Sequence, residues 1–137
     1  MPNHLRSRND PAAPPAAATV LLVDREALYR WFVAESLRGC GIDVVPCGSL
    51  DEAASLLGGR AAPDLLIVDG ELLEGRDSGT LGAMRASAGT VPCLVLDSGG
   101  FLSASRLGAV TVADKPVDTA AVIALVTRQL RRDVAAA

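Results

Sequence analysis

Short apolar segments alternate along this chain with segments of helical periodicity. Five short runs of five or six residues predict strands, and the first of them has no polar/apolar alternation, which predicts burial on both faces. These predicted strands are Thr19–Asp24, Ile42–Cys47, Asp64–Asp69, Val91–Leu96 and Ala109–Ala113.

The segments between the strands predict helices. Glu26–Cys40 has apolar residues at helical spacing, and Ser49-Leu-Asp-Glu52 is a capping box that begins the next helix. The five predicted helices are Glu26–Cys40, Ser49 to about Leu57, about Thr80–Ser87, about Leu102–Leu107 and Val117–Arg131. Strands that alternate with helices predict an α/β fold with a doubly wound, five-stranded parallel sheet and helices on both faces.

Length and composition predict one domain in a reducing compartment. The 137 residues suffice for one core, and a Pro/Ala-rich lead (residues 1–18), expected to be disordered, precedes the folded domain (residues 19–132) and a short tail (residues 133–137). A net charge of -3 and 3% aromatic residues argue against direct nucleic-acid binding. No apolar run reaches the length of about 18–20 residues that spans a bilayer. Three cysteines without CxxC spacing favour reduced thiols and a cytoplasmic location.

Charged residues follow four of the five predicted strands. These segments are Asp24-Arg25, Asp69, Asp97-Ser98 and Asp114-Lys115-Pro116. One aspartate at a strand exit is commonly a turn former or a helix cap. The carboxyl ends of parallel strands, however, meet at one edge of an open sheet, which is where its binding site lies. Acids and bases from four segments therefore predict a functional site at that edge.

At these positions the chain resembles the CheY-like receiver domain of bacterial response regulators. The resemblance depends on VLLVD (20–24), PDLLIVD (63–69), VPCLVL (91–96) and GAVTVADKPVD (108–118). It implies a flavodoxin-like sheet with strand order 2-1-3-4-5. It also implies a signalling domain rather than an enzyme, whose own chemistry is at most self-phosphorylation and dephosphorylation at Asp69.

The resemblance assigns roles to single residues. Asp69 matches the aspartate that accepts a phosphoryl group, and Lys115 matches the lysine that pairs with that group, with a cis Lys115–Pro116 bond expected. Asp24, Asp69 and the backbone carbonyl of Glu71 match the ligands of a magnesium ion.

Other positions depart from the family pattern. Arg25 replaces the second metal-binding acid, Asp97 replaces the switch Thr or Ser, and Val112 replaces the switch aromatic residue. Ser98 is the candidate substitute hydroxyl, although it lies one residue late and should face the other way. We expect the Arg25 guanidinium to take the space of the metal and the Asp97 carboxylate to repel a phosphoryl group. Mg2+ binding is therefore predicted to be weak or absent.

The sequence favours an atypical receiver in a two-component phosphorelay, with weak or absent phosphorylation of Asp69. Its expected partners are a sensor histidine kinase or phosphotransfer protein and an output protein. The output protein would bind the surface formed by the fourth helix, the fifth strand and the fifth helix. A competent Mg2+-dependent phosphoacceptor, in which Glu26 or water replaces the missing ligand, and an adaptor descended from a receiver stay open. A small nucleotide-binding α/β enzyme is the remote alternative, because the chain has no phosphate-binding glycine loop.

Overall fold

Five parallel strands form the centre of the structure, a computed structural model that describes residues 17–59, 62–73, 85–86, 89–97, 111–116 and 118–136. The strands are β1 (Thr19–Val23), β2 (Asp43–Cys47), β3 (Leu65–Asp69), β4 (Cys93–Asp97) and β5 (Thr111–Asp114). Their order across the sheet is β2-β1-β3-β4-β5. The predicted fold class and strand order are confirmed.

Three α-helices and one short 3-10 helix accompany the sheet in the described residues. They are α1 (Ala27–Gly39), α2 (Leu50–Gly59), the 3-10 helix Gly70–Leu72 and α3 (Thr119–Ala136), the last of which is the fifth helix of the sequence prediction. The third and fourth predicted helices lie almost entirely outside the described residues, with only residues 85–86 described as helical. None of the helices described here is both long and apolar enough to cross a bilayer.

The sheet is covered on two faces, which explains why its central strands β1, β3 and β4 lack alternation. On β1, Val20 and Leu22 pack in one buried cluster with residues of α1 and α3. Leu21 and Val23 pack in a second cluster with residues of α2. Successive side chains of a strand point to opposite faces, so a strand with a core on both sides must be apolar throughout.

Local hydrogen bonds fix the ends of two helices. The Ser49 hydroxyl accepts from the Glu52 N–H at 3.1 Å, and the Glu52 carboxylate accepts from the Gly48 N–H at 3.1 Å, so the predicted capping pair begins α2. The Asp118 carboxylate accepts from the Ala120 N–H at 2.8 Å. An N-cap aspartate satisfies a free amide of the first turn, which explains why α3 begins after the predicted Val117.

Two local features differ from the prediction. The last helix, predicted to end at Arg131, continues through residue 136, in agreement with the high helix propensity of alanine. No cis peptide bond occurs in the described part of the chain, so Lys115–Pro116 is trans, which is the more stable isomer by about 0.5–1 kcal/mol. Residues 1–16 of the lead and the whole segment 98–110, which includes Ser98, lie outside the described residues.

Two leucines distinguish the core from the surface. We expect Leu22→Ala to lower the free energy of unfolding by about 2–5 kcal/mol, because Leu22 is 1% exposed and its loss leaves a cavity between β1 and α1. The matched variant Leu28→Ala removes the same atoms from a side chain that is 69% exposed, and should change that energy by less than about 0.5 kcal/mol. Urea unfolding followed by circular dichroism measures both. Equal effects would contradict the burial of β1 described here.

Candidate functional site

The strand register brings three aspartates to the carboxyl edge of the sheet. Val23 of β1 is level with Val68 of β3, so Asp24 and Asp69 leave the sheet side by side. Asp69 is level with Leu96 of β4, so Asp97 lies one residue further along. All three aspartates are at most 2% exposed. Buried carboxylates need partners, because removing a charge from water is costly.

Lys115 is the partner that two of these aspartates share. Its ammonium nitrogen lies 3.1 Å from Asp24 Oδ2, 2.9 Å from Glu26 Oε1 and 3.7 Å from Asp69 Oδ2. Its side chain is 9% exposed. The Lys115 N–H donates to the Asp97 carbonyl at 2.9 Å, so the backbone that carries this lysine is fixed to β4.

Burial and this shared ammonium group shift three pKa values. Burial raises the pKa of Asp24 above its usual value, although the Glu26 N–H and Lys115 both oppose the shift and the charge of Asp69 adds to it. Burial alone would lower the pKa of Lys115, but its hydrogen bonds to Glu26 and Asp24 raise it above the ordinary value. The hydrogen bond to Lys115 lowers the pKa of Glu26. Lys115 is therefore held in its charged form.

Asp69 keeps one oxygen available at the centre of the site. Its Oδ1 accepts from the Glu71 N–H at 3.1 Å, at the start of the 3-10 helix. Its Oδ2 is buried and accepts no hydrogen bond from the described residues, with Lys115 Nζ 3.7 Å away. A buried carboxylate oxygen of this kind fits a metal ligand or a nucleophile.

Three carboxylates could hold a divalent cation. Asp24, Glu26 and Asp69 each offer an oxygen, and these oxygens lie within 4.8 Å of one another. Mg2+ prefers such hard oxygen ligands and keeps several of its waters. The described residues therefore fit this ion, with Glu26 as a ligand in addition to Asp24 and Asp69.

Arg25 does not lie among these carboxylates. Its guanidinium forms an ion pair with the Glu71 carboxylate, and its side chain is 56% exposed. The structure records no ion pair between Arg25 and Asp24 or Asp69, so the expectation that it takes the space of the metal is corrected. Arg25 lies in the bend that follows β1 and is exposed, whereas Asp24 beside it is buried. The Glu71 carbonyl stays a predicted ligand.

Asp97 packs directly against the backbone that follows Asp69. A Cβ atom placed on Gly70 would lie 2.7 Å from Asp97 Oδ1 and 3.1 Å from Asp97 Cα. Glycine at position 70 permits this close approach, since a larger residue there would require Asp97 to shift. The structure thus brings the Asp97 side chain next to the predicted phosphoacceptor.

Tyr29 of α1 lies against Lys115 from the side of the helix. The Lys115 ammonium nitrogen is 4.4 Å from the centre of the Tyr29 ring, within the range of a cation–π interaction. The Tyr29 hydroxyl donates to the Pro116 carbonyl at 2.8 Å. The sequence analysis did not single out Tyr29, because a contact across 87 positions leaves no local signal. Glu26 could have been found, since it is an acid only two residues after Asp24 in the segment that follows β1.

Comparison with known proteins identifies the fold. No protein-family model and no curated protein matches the chain. Among solved structures, a response regulator receiver protein from Sinorhizobium medicae is 23% identical, with a TM-score of 0.69, and the match covers 85% of this chain and 97% of that one. The chain has the fold of a response regulator receiver domain.

Two further receiver domains share this fold. The receiver domain of the hybrid histidine kinase CckA is 27% identical, with a TM-score of 0.66, and the match covers 82% of this chain and 99% of that one. A CheY-like receiver domain protein from Methanospirillum hungatei is 14% identical, with a TM-score of 0.75, and the match covers 88% of this chain and 99% of that one. The acidic cluster Asp24, Glu26 and Asp69 fits the pocket of a receiver domain.

The single tyrosine reports on this site through its ionisation. Burial raises the pKa of Tyr29 to about 12, with the Lys115 charge opposing the shift. We therefore expect the phenolate absorbance of the folded protein to appear with a midpoint near pH 12, and that of the denatured protein near pH 10.0, the ordinary pKa of tyrosine. The raised pKa contributes stability that is fully present below pH 10.0 and is lost as the pH rises through about 12.

Circular dichroism of the same samples shows whether the protein is still folded at each pH. A midpoint near 10.0 in folded protein would show that the phenol is in contact with bulk water, contrary to the structure.

Proposed function

We propose that this chain is a receiver that acts in bacterial two-component signalling, with weak or absent phosphorylation of Asp69, so that its signal depends on protein contact. The receiver fold and the acidic pocket support the general role. Receiver domains are in general signalling domains rather than enzymes. The position of Asp97 carries the more specific part of the proposal.

Asp97 opposes phosphoryl transfer to Asp69 in two ways. It replaces the hydroxyl group that the family uses to donate a hydrogen bond to the phosphoryl oxygens. Its carboxylate is buried against Gly70, beside Asp69, where it would face the incoming negative charge. Two unit charges about 5 Å apart repel by about 3 kcal/mol at an effective dielectric constant near 20. A repulsion of that size lowers the rate or the yield of transfer by about a hundredfold.

Weak magnesium binding is part of this proposal. Asp24, Glu26 and Asp69 would hold the ion, which when bound would neutralise negative charge on the carboxylates and on a phosphoryl group. The Lys115 ammonium group, however, already lies within 4 Å of an oxygen of each of these three residues. A cation must therefore displace or repel a charge that the site already contains, which lowers its affinity.

The proposed partners are those of a cytoplasmic receiver. A sensor histidine kinase or a phosphotransfer protein would meet the Asp69 edge, and an output protein would bind the surface of the fourth predicted helix, β5 and α3. In the described part of that surface, Val112 on the edge strand β5 is 36% exposed. A hydrogen bond of 2.9 Å from Gln129 to Thr111 holds α3 against β5. The three free cysteines agree with a reducing compartment.

A competent Mg2+-dependent phosphoacceptor is the second candidate function. One observation favours it, namely that Glu26 completes a three-carboxylate cluster around the available oxygen of Asp69. In that case an Asp69 oxygen would attack the phosphorus of a donor, the bond from phosphorus to the donor would break, and an acyl phosphate would form. Lys115 would then pair with the new phosphoryl group.

Incubation with acetyl phosphate and Mg2+, followed by intact-protein mass spectrometry, separates the two candidates. We expect little phosphorylation of the wild-type chain, and at least about tenfold more of the Asp97→Thr variant, which restores a hydroxyl donor and removes a negative charge. Asp69→Asn is the control, because it keeps the shape of the acceptor and should gain nothing. Ready and stable phosphorylation of the wild type at Asp69 would overturn weak phosphorylation and favour the second candidate.

Metal titration tests the role of Glu26. We expect calorimetry with Mn2+ to show weak binding by the wild type, and Glu26→Gln to weaken it further by at least about tenfold, since even outer partners of a metal site give changes of this size. Glu35→Gln is the matched control, because Glu35 lies on the same helix and pairs with Arg38 rather than with the site. Tight stoichiometric binding by the wild type would contradict the proposed competition with Lys115. Equal affinities of the two variants would remove Glu26 from the ligand set.

A further inference from the structure

The contact between Tyr29 and Lys115 can be observed selectively. The chain contains one tyrosine and one lysine, and these two residues are in contact. They are far apart in the sequence, since Tyr29 belongs to α1 and Lys115 to the segment that follows β5. Any reagent or spectroscopic label that reads lysine or tyrosine side chains therefore reads this contact without interference from other residues of the same type.

The ammonium group lies between the ring and the carboxylates. The Tyr29 ring centre is 4.4 Å from Lys115 Nζ, while Asp24 and Glu26 oxygens lie at 3.1 and 2.9 Å. Lysine has a long side chain with many rotamers, and a compact charge that prefers water. An aromatic face offers that charge a favourable contact while excluding solvent, in agreement with the 9% exposure of the side chain.

The hydroxyl of Tyr29 fixes the backbone beside this charge. It donates to the carbonyl of Pro116, the residue directly after Lys115, at 2.8 Å. Helix α1 is thereby tied to the connection between β5 and α3. The ring and the hydroxyl act on neighbouring residues, so together they restrain both the position of the lysine backbone and the direction of its side chain.

We propose that Tyr29 is a positioning residue that holds the Lys115 ammonium group against Asp24, Glu26 and Asp69. The inference extends the proposed function, since it identifies what determines how readily Lys115 yields to a cation or turns towards a phosphoryl group. Leucine at position 29 would leave the ammonium group with its carboxylates but with no aromatic face to restrain it. Phenylalanine would keep the face and lose only the bond to Pro116.

Two measurements on the full chain test this role without any phosphodonor or metal. In protein labelled with 13C-lysine, the ε-methylene protons of Lys115 should be shifted upfield by the ring current in the wild type and in Tyr29→Phe, and should lose that shift in Tyr29→Leu. Acetylation by an N-hydroxysuccinimide ester, followed by peptide mapping, should be faster at Lys115 in Tyr29→Leu by about fivefold or more, the scale of a cation–π contact. Rates in Tyr29→Phe should lie near the wild type if the ring dominates, and near Tyr29→Leu if the hydroxyl dominates; both results support positioning.

Leu37→Ala separates positioning from general loosening of the helix. Leu37 is fully buried on α1 and contacts the core rather than Lys115, so this variant should destabilise the protein and leave Lys115 acetylation within about twofold of the wild type. The inference is overturned if Leu37→Ala accelerates acetylation as much as Tyr29→Leu, or if Tyr29→Leu changes neither readout. These outcomes do not depend on whether Asp69 is phosphorylated, so a failure here is distinct from a failure of the proposed function.

Discussion

The ammonium group of Lys115 balances carboxylates that would otherwise repel one another at a largely buried edge of the sheet. Asp24 and Asp69 are each 1% exposed, and neither could be buried as an anion without a cation close by. The strand register forces the two together, since both follow residues that are paired across β1 and β3. The charge of one side chain, which lies far along the sequence, therefore compensates the carboxylates that the fold brings together at this edge.

This charge balance explains how the surrounding charged residues are paired. The side chain of Glu26 makes no capping hydrogen bond in α1, although Glu26 stands at the N-cap, and its carboxylate pairs with Lys115 instead. Arg25 pairs with Glu71 at the surface, so its positive charge stays outside the pocket that Lys115 occupies. Asp97 is bound to the same region through its carbonyl, which accepts the Lys115 N–H, and through the space that Gly70 leaves for its side chain. The positive charges near this edge are thus divided between Lys115 inside the pocket and Arg25 outside it.

Sequence reasoning predicted those features that depend on local pattern. Short apolar runs predicted the strands, and the acids at their ends predicted that Asp24 and Asp69 come together at one edge of the sheet. The order of the strands came from the resemblance carried by segments such as PDLLIVD and ADKPVD, because periodicity alone does not say which strands are neighbours. The direction of a side chain and contacts between residues far apart in the sequence were harder to predict. The position of Arg25 in the sequence placed it at the edge of the sheet but did not give the direction of its side chain. Tyr29 contacts Pro116 only because α1 packs beside the connection that follows β5.

The separation of the partners along the chain has a consequence for biosynthesis. Lys115 lies 91 residues after Asp24 and 89 residues after Glu26. A nascent chain emerges from the ribosome amino end first, so β1 and β3 are available for pairing well before this lysine. Until then the edge has its acids without their counter-charge, and closing it would bury uncompensated anions. The segment after the last strand therefore does more than complete the sheet: it brings the ammonium group that balances the carboxylates already placed at this edge.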